Sequence, residues 1–285
     1  LEVVAMKASD VRVHVGQGTV RGSLTAFPVW TDAPSVPRRY LTGVAAAVDV
    51  AERAGSPVVE ELVVTNRGDS PALLLCGELL EGGWQTRALA GTTLLAPGRP
   101  TVQPVVCVEQ GRWSGGAAHA RRARRAPLGV MRELHSQHEV WNRVRGYADV
   151  AGDSPTESLA DRLDVTAPRA RDLTRGLRPL AGQRGVLIGI AGQPVWLELF
   201  DSGRSLAAHW SALLHAATMD ALGRPEVRTP AALARSFAER VERTRLAPAG
   251  PAGLASRVSG GGRVSVDAVR WSDRTIHLTA VASEA

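Results

Sequence analysis

The stretch that decides the fold runs from Val58 to Val108: VVEELVVT (58–65), RGDSP (67–71), ALLLC (72–76), the pair Gly82-Gly83, ALAGTTLL (88–95), PGRP (97–100) and VQPVVCV (102–108). Short apolar and β-branched runs at intervals of about 8–12 residues, separated by Gly, Pro, Asp and Ser, read as antiparallel strands in a sandwich or barrel. Upstream, Val11, Val13, Val15, Val20 and Leu24 alternate with polar residues and are broken by Gly16, Gly18 and Gly22, which carries the strand pattern back toward the start of the chain. Between these regions Leu41, Val44, Ala45, Val48 and Ala51 recur at three- and four-residue spacing, which predicts a short amphipathic helix over 40–53, ended by Gly55. Residues 1–113 are expected as a β-rich core.

Beyond it the pattern changes. Residues 114–127 hold glycine, alanine and arginine with no apolar period and read as an exposed loop. Leu128, Met131, Leu134, His138, Trp141 and Val144 predict a helix over 128–147, and Ser154-Pro155 offers an N-cap and first-turn proline for another. A hairpin is expected over 186–200 and helices over 205–222 and 229–245. A small-residue stretch over 247–253 then precedes a last hairpin, 263–270 with 276–281. The expected fold class is α+β: an antiparallel β-rich core to which residues 128–285 add helices and two hairpins, packed as one body.

The chain has 285 residues, 44% hydrophobic and 22% charged, a globular composition. Its net charge of +6 rests on arginine, since Lys7 is the sole lysine, and four arginines sit together at 121, 122, 124 and 125. That run could make ~3 to 4 phosphate contacts, but no aromatic residue interleaves it, so a solvated loop is favoured over a nucleic-acid surface. No apolar run approaches the ~20 residues that span a bilayer, and the first thirty residues carry no basic-then-apolar leader pattern. Cys76 and Cys107 lie in apolar runs and make no disulfide framework. These features together predict a cytoplasmic protein with no membrane association.

The chemistry-bearing residues concentrate between Cys76 and Trp113. Strand parity puts Cys76 with Glu78 and Cys107 with Glu109, if each strand continues that far, and the Gly82-Gly83 turn delivers Gln85 and Arg87 beside them. Arg112 supplies a second guanidinium suited to carboxylate or phosphate. Five polar side chains in a β core must satisfy one another or a ligand, so Glu78 is expected within reach of Arg87 or Arg112, with Gln85 lining the same cavity. Glu78 and Glu109 are the candidate general bases; Gln85, Arg87, Arg112 and Trp113 are the candidate ligand contacts. The same groups could instead be structural ion pairs, and Trp84 and Trp113 packing aromatics. No metal site is expected, because Cys76, Glu78, Cys107, Glu109 and His119 match no zinc-ligand spacing. No cofactor can be named.

The strings GELLEGGWQTRAL (77–89) and PVVCVEQGRW (104–113) resemble the ARPP-1 domain family, whose name refers to ADP-ribosylglycohydrolases and to rhodanese- or phosphatase-like proteins. The likeness continues through Gln137-His138-Glu139-Val140-Trp141, GVLIGIAGQPVWLELF (185–200) and the helix containing Trp210. Gly77, Glu78, Gly82, Gln85, Arg87, Cys107 to Glu109, and Gly111 to Trp113 match the family pattern. Cys76, Trp84 and Thr86 depart from it, standing where the family usually has an acidic residue, a lysine and an asparagine. The resemblance implies binding or processing of an ADP-ribose-like or other phosphorylated, NAD-derived nucleotide metabolite. The alternative is a noncatalytic binding or assembly module that presents a rigid polar cluster to a protein partner.

Overall fold

The computed structural model describes residues 6–7, 12–34, 40–55 and 58–283. The chain forms two compact units. One takes the described residues of Leu1–Arg38 with Gly176–Trp210 and Gly223–Ala285; the other takes those of Arg39–Arg175 with Ser211–Leu222. Antiparallel sheets dominate both and helices pack on them, so the fold is α+β as the sequence predicts. Among the described residues no helix is long and apolar enough to cross a membrane.

The first unit is built on one large sheet. Its central strands, Gly185–Ile190 and Gln193–Phe200, form the expected hairpin, and Leu24–Thr31 pairs with the first of them. The terminal hairpin, Val264–Trp271 with Arg274–Ala282, pairs with Gln193–Phe200. Helix Ala231–Arg243 packs Ala234, Phe237 and Val241 into the same core as Phe27, Leu197 and Val266. The small-residue stretch over 247–253, for which the sequence predicts no element, lies up to Ala252 in strand Arg245–Ala252, which pairs with Ala255–Gly260. Its backbone hydrogen bonds, with a register shift between Pro248 and Gly250, supply what its side chains do not.

The second unit contains a closed six-stranded barrel in the order Arg87–Leu89, Pro100–Cys107, Glu61–Asn66, Val48–Ala51, Ala118–Ala120 and Leu79–Gly82. The helix expected over 40–53 is absent. Strands Leu41–Thr42 and Val48–Ala51 flank a 3-10 turn, Gly43–Ala45, entered through Gly43 at φ 61°. The helical spacing was accidental: β-branched Val48 and Val50 around Asp49 also satisfy a period of two, and Val50 faces the barrel core.

The other differences are local. The helix expected over 128–147 divides into Leu128–Met131 and Gln137–Arg145, the second capped by Ser136 Oγ accepting from Glu139 N. Helix Leu159–Leu173 is capped by Ser158, while Ser154 braces that cap by accepting from Ser158 N and donating to Asp161. Only part of the arginine run is solvated: Arg122 is 63% exposed at its side chain, while its neighbours turn inward. Ala118–Ala120 is a barrel strand, Arg125 is buried, and the Arg121 side chain is only 9% exposed. Arginine reads as surface from sequence because its charge is costly to bury, but here each guanidinium finds oxygen acceptors, Glu78 for Arg121 and Cys76 O for Arg125.

Candidate functional site

Facing partners in a ladder share one side of a sheet, so the pairing register divides the barrel residues into inner and outer sets. Leu80, Leu89, Val105, Leu62, Val64 and Val50 pack together as the apolar interior. Arg87 lies opposite Leu80 and Cys107, and His119 lies opposite Val50 and Gly82, so Arg87, Cys107 and His119 join the inner set. Glu52 follows Val50 by two. The inner set therefore changes from apolar to polar along the barrel. Leu79, Ala88 and Val106 face outward and pack with Val130, Val140, Val144 and Leu163 of the helices. Glu81, two residues after Leu79, also belongs to that outer face.

The candidates named from sequence fall into separate groups. Glu78 is not within reach of Arg87 or Arg112: its Oε1 accepts from Arg121 Nε at 2.9 Å and Nη2 at 2.5 Å. Arg121 also donates to Ala46 O and Gly43 O, just before strand Val48–Ala51, whereas Glu52 lies past that strand's other end. The expectation failed because the strand begins only at Leu79, so Glu78 lies before it in an isolated bridge to Arg125 and strand parity does not reach back to Cys76. Gly77, at φ 77°, breaks it and directs the carboxylate toward Arg121.

Gln85, Glu109 and Arg112 do come together. Gln85 Nε2 donates to Glu109 O at 3.1 Å. The Glu109 carboxylate accepts from Arg112 Nε and Nη2 at 2.8 and 2.6 Å, from Thr86 N at 2.8 Å and from Thr156 Oγ1 at 2.9 Å. Burial pushes this carboxyl upward, but the bonds from Arg112, Thr86 and Thr156 outweigh it and hold Glu109 below the ordinary carboxylate range. The hydrogen bond to Glu109 likewise raises Arg112. Arg112 spends its remaining donors on Gly83 O, Gly82 O and Ser114 O.

Arg87 is fully buried and donates Nε to Val59 O at 2.9 Å. The exposed ring of Trp113 lies 5.9 Å from its guanidinium and meets Trp84 edge-on at 5.6 Å. Desolvation lowers the Arg87 pKa, partly offset by Cys107, Glu52 and Glu109. Burial alone dominates at Cys107 and raises its thiol. The family-like Gln137 serves the same strand, bridging Cys107 N and O at 2.9 and 2.8 Å.

An open cleft of about 490 Å³ lies on the outer face, between the barrel and the start of helix Leu159–Leu173. Its side-chain chemistry comes from Glu81, Thr86, Glu109, Arg112, His119 and Arg122 on the barrel side and from Ser158, Asp161 and Asp164 at the start of the helix. Of the sequence candidates, Glu109 and Arg112 line it; Glu78, Gln85, Arg87 and Trp113 do not. Glu81 was passed over in the sequence because it sits between more distinctive neighbours; strand parity from Leu79 is the signal that could have found it. Its Oε1 has no hydrogen bond, and the nearest cations are Arg124 Nε at 3.5 Å and Arg122 Nε at 3.8 Å. Burial raises its pKa, moderated by Arg124 and Arg122. Arg122 is largely exposed, while Arg124 is committed to Asp164.

His119, read from sequence as part of the loop, is a barrel residue. Nδ1 lies 3.2 Å from Leu80 O and Nε2 lies 3.1 Å from Glu52 Oε1. A neutral ring satisfies one of these acceptors and an imidazolium satisfies both, yet burial outweighs the pull of Leu80 and Glu52 and lowers the pKa. Among the described residues no group of three or more His, Cys, Asp or Glu is arranged to hold a metal.

The family model described as the ARG and Rhodanese-Phosphatase-superfamily-associated Protein domain, ARPP-1, matches residues 12–281. No curated protein and no solved structure matches the chain.

Proposed function

The chain belongs to the ARPP-1 family, and on that premise we propose that the cleft beside the barrel binds and processes a hydroxyl-rich metabolite of the ADP-ribose class. The observation that carries this reading is Glu81, a buried carboxyl with an oxygen left without a hydrogen bond on the wall of an open cleft. Such a group is poised to give or take a proton. Burial raises its pKa, the direction that suits a general acid toward a departing oxygen or nitrogen. Asp161, Asp164 and Ser158 offer hydrogen-bonding groups to sugar hydroxyls, and exposed Arg122 offers a cation to a phosphate. Glu109 and Arg112 have spent their bonding capacity on each other and on nearby backbone, so their part is positioning: they fix the wall that carries Thr86.

The test is a thermal-shift titration with ADP-ribose, ribose 5-phosphate and ribose on the wild type, Glu81→Gln and Arg122→Ser. ADP-ribose at about 100 times its dissociation constant should stabilise the wild type by ~2.7 kcal/mol. Arg122→Ser should weaken the phosphorylated ligands selectively, and Glu81→Gln should retain binding but abolish turnover. No response of the wild type to any of the three removes the reading.

The saturated pairs Glu78–Arg121 and Glu109–Arg112 favour a second reading, a noncatalytic module whose polar cluster is structural and whose partner is a protein. Under it Arg112→Ala lowers stability and no metabolite shifts the melting temperature.

A further inference from the structure

One guanidinium stands between two acids of the outer cleft. Arg124 donates from Nη2 to Asp164 Oδ1 and from Nη1 to Ala160 O at 3.2 Å, both on helix Leu159–Leu173. Its Nε lies 3.5 Å from Glu81 Oε1, in ion-pair range but without a hydrogen bond. Glu81 and Asp164 line the same open cavity, yet at different depths: the Glu81 side chain is 9% exposed and that of Asp164 58%.

The other charges around Glu81 are less well placed. Arg122 Nε is 3.8 Å from Glu81 Oε2 on a side chain that is mostly in solvent. Asp161 comes from the helix, and His119 and the Glu109–Arg112 pair from the barrel side. His215, on helix Gly203–Ala221, feels both Arg124 and Asp164, and burial lowers its pKa toward the neutral ring. Burial pushes the Glu81 carboxyl up; of the charges, Arg124 pulls it down most, while Asp164 pushes it up.

An ion pair as exposed as Arg124–Asp164 is weak, so little is lost when a ligand hydroxyl takes Asp164. A pair between Arg124 and the buried Glu81 carboxylate is screened far less, and Nε needs to move only about 0.6 Å to reach an ordinary hydrogen bond of about 2.9 Å. Two arrangements follow. In one, Arg124 serves Asp164 and Glu81 holds a proton; in the other, Arg124 closes on an ionised Glu81 and Asp164 is open to a ligand. Ligand and proton then compete through one side chain, and by linkage each weakens the other to the same degree. A water on Glu81 Oε1 would satisfy the same oxygen but would leave Glu81 sensitive to Asp164 only through its bare charge, which a measurement can separate.

We propose that Arg124 couples ligand binding at Asp164 to proton release from Glu81, with Asp164 as a positioning residue that draws Arg124 off the acid until a ligand hydroxyl takes its place. This inference rests on the reading of the cleft given above. With a bound product the proton passes to solvent. With a reacting ligand it passes to the departing oxygen or nitrogen, and Arg124 stabilises the carboxylate left behind.

The first arm of the experiment needs no ligand. Carboxyl-carbon NMR follows the Glu81 titration, assigned by its loss in Glu81→Gln, in the wild type, Asp164→Asn, Arg124→Gln and the double variant. Asp164→Asn frees Arg124 and should lower the midpoint by about 1 unit, the low end of what an adjacent arginine does to a carboxyl. In the Arg124→Gln background the same change should lower it by less than half as much, since only the loss of a charge remains. The second arm titrates ADP-ribose by calorimetry at the wild-type midpoint in two buffers of different ionisation heat. The wild type should release protons on binding, and Arg124→Gln, which leaves Asp164 in place, should release at least threefold fewer. A Glu81 midpoint unchanged or raised in Asp164→Asn, an equal fall with and without Arg124, or ADP-ribose binding with no proton release or with equal release in Arg124→Gln overturns the coupling and leaves the cleft as a binding site. Failure of ADP-ribose to bind the wild type overturns the reading of the cleft and the coupling with it.

Discussion

Replacing Arg121 with alanine tests whether the arginine run belongs to the barrel or to its surroundings. The guanidinium has only 9% of its side chain exposed and makes four hydrogen bonds, two to Glu78 Oε1 and one each to Ala46 O and Gly43 O. Removing it leaves the Glu78 carboxylate, itself 7% exposed at the side chain, without its counter-ion. Breaking a buried pair from one side costs about 3–5 kcal/mol, because the remaining charge is uncompensated. At roughly 2–4 °C per kcal/mol the melting temperature should fall by roughly 6–20 °C, and a urea midpoint should shift to match. Arg122→Ala, two-thirds exposed and one position away, provides the control and should change stability by no more than ~0.5 kcal/mol. The double variant Glu78→Leu with Arg121→Met should recover much of the loss, since an apolar pair of similar volume avoids the desolvation of both ions. A loss below ~1 kcal/mol for Arg121→Ala would refute the reasoning and return the run to solvent.

Gly83→Ala should destabilise the fold by ~1–3 kcal/mol, because φ is +58° there and the added Cβ would fall 2.0 Å from His119 Nε2; an unchanged urea midpoint would argue against that packing. For Glu109 the folded pKa lies below the unfolded value, so its stabilisation is present above about pH 4.5 and lost as pH falls through the lowered value; Glu109→Gln should flatten that acid limb in pH-dependent denaturation. Glu81 has the opposite sign: its raised pKa makes the folded state less stable as pH rises through it, so Glu81→Gln should stabilise the protein at neutral pH more than at pH 4. Native protein exposed to a thiol reagent at pH 8 should react at half-buried Cys76 before buried Cys107, whose thiol pKa is raised; mass spectrometry of the labelled peptides decides the order.

Much of the architecture was legible because hydrophobic period is a local signal. Val58 to Val108 reads as strands and folds as strands, and the hairpin around Ala191-Gly192 and the helix over 205–222 were located within a few residues. Failures occurred where two periods fit the same residues, as at 40–53, or where the backbone supplied the cohesion, as at 245–252. In the candidate site, the association of Gln85, Glu109 and Arg112 followed from the cost of burying polar groups. Which carboxylate met which arginine did not, because Arg121 reaches Glu78 only after barrel closure brings Ala118–Ala120 beside Leu79–Gly82. Glu81 is marked in the sequence only by its parity with Leu79; its place on a cleft wall exists only once Leu159–Leu173 forms the facing side.

The two units interleave along the chain, and this bears on the order in which the protein folds. Strand Leu24–Thr31 pairs with Gly185–Ile190, and nearly all of the barrel unit lies in the chain between them. Bringing Val29 to Gly185 in an unfolded chain closes a loop of roughly 150 residues, an entropic cost on the order of 4–5 kcal/mol before the first sheet contact is rewarded. If the barrel condenses first, it shortens that loop to the dimensions of a folded body and most of the cost disappears. Nucleation should therefore begin among the short-range pairings of Leu79–Gly82 with Arg87–Leu89, and the central sheet pairing should be a late event. In pulse-labelled hydrogen exchange, amides of the barrel strands should gain protection in an earlier phase than those of Gly185–Ile190, and a circular permutant opened within the barrel insertion should refold more slowly than one opened at the Ala191-Gly192 turn.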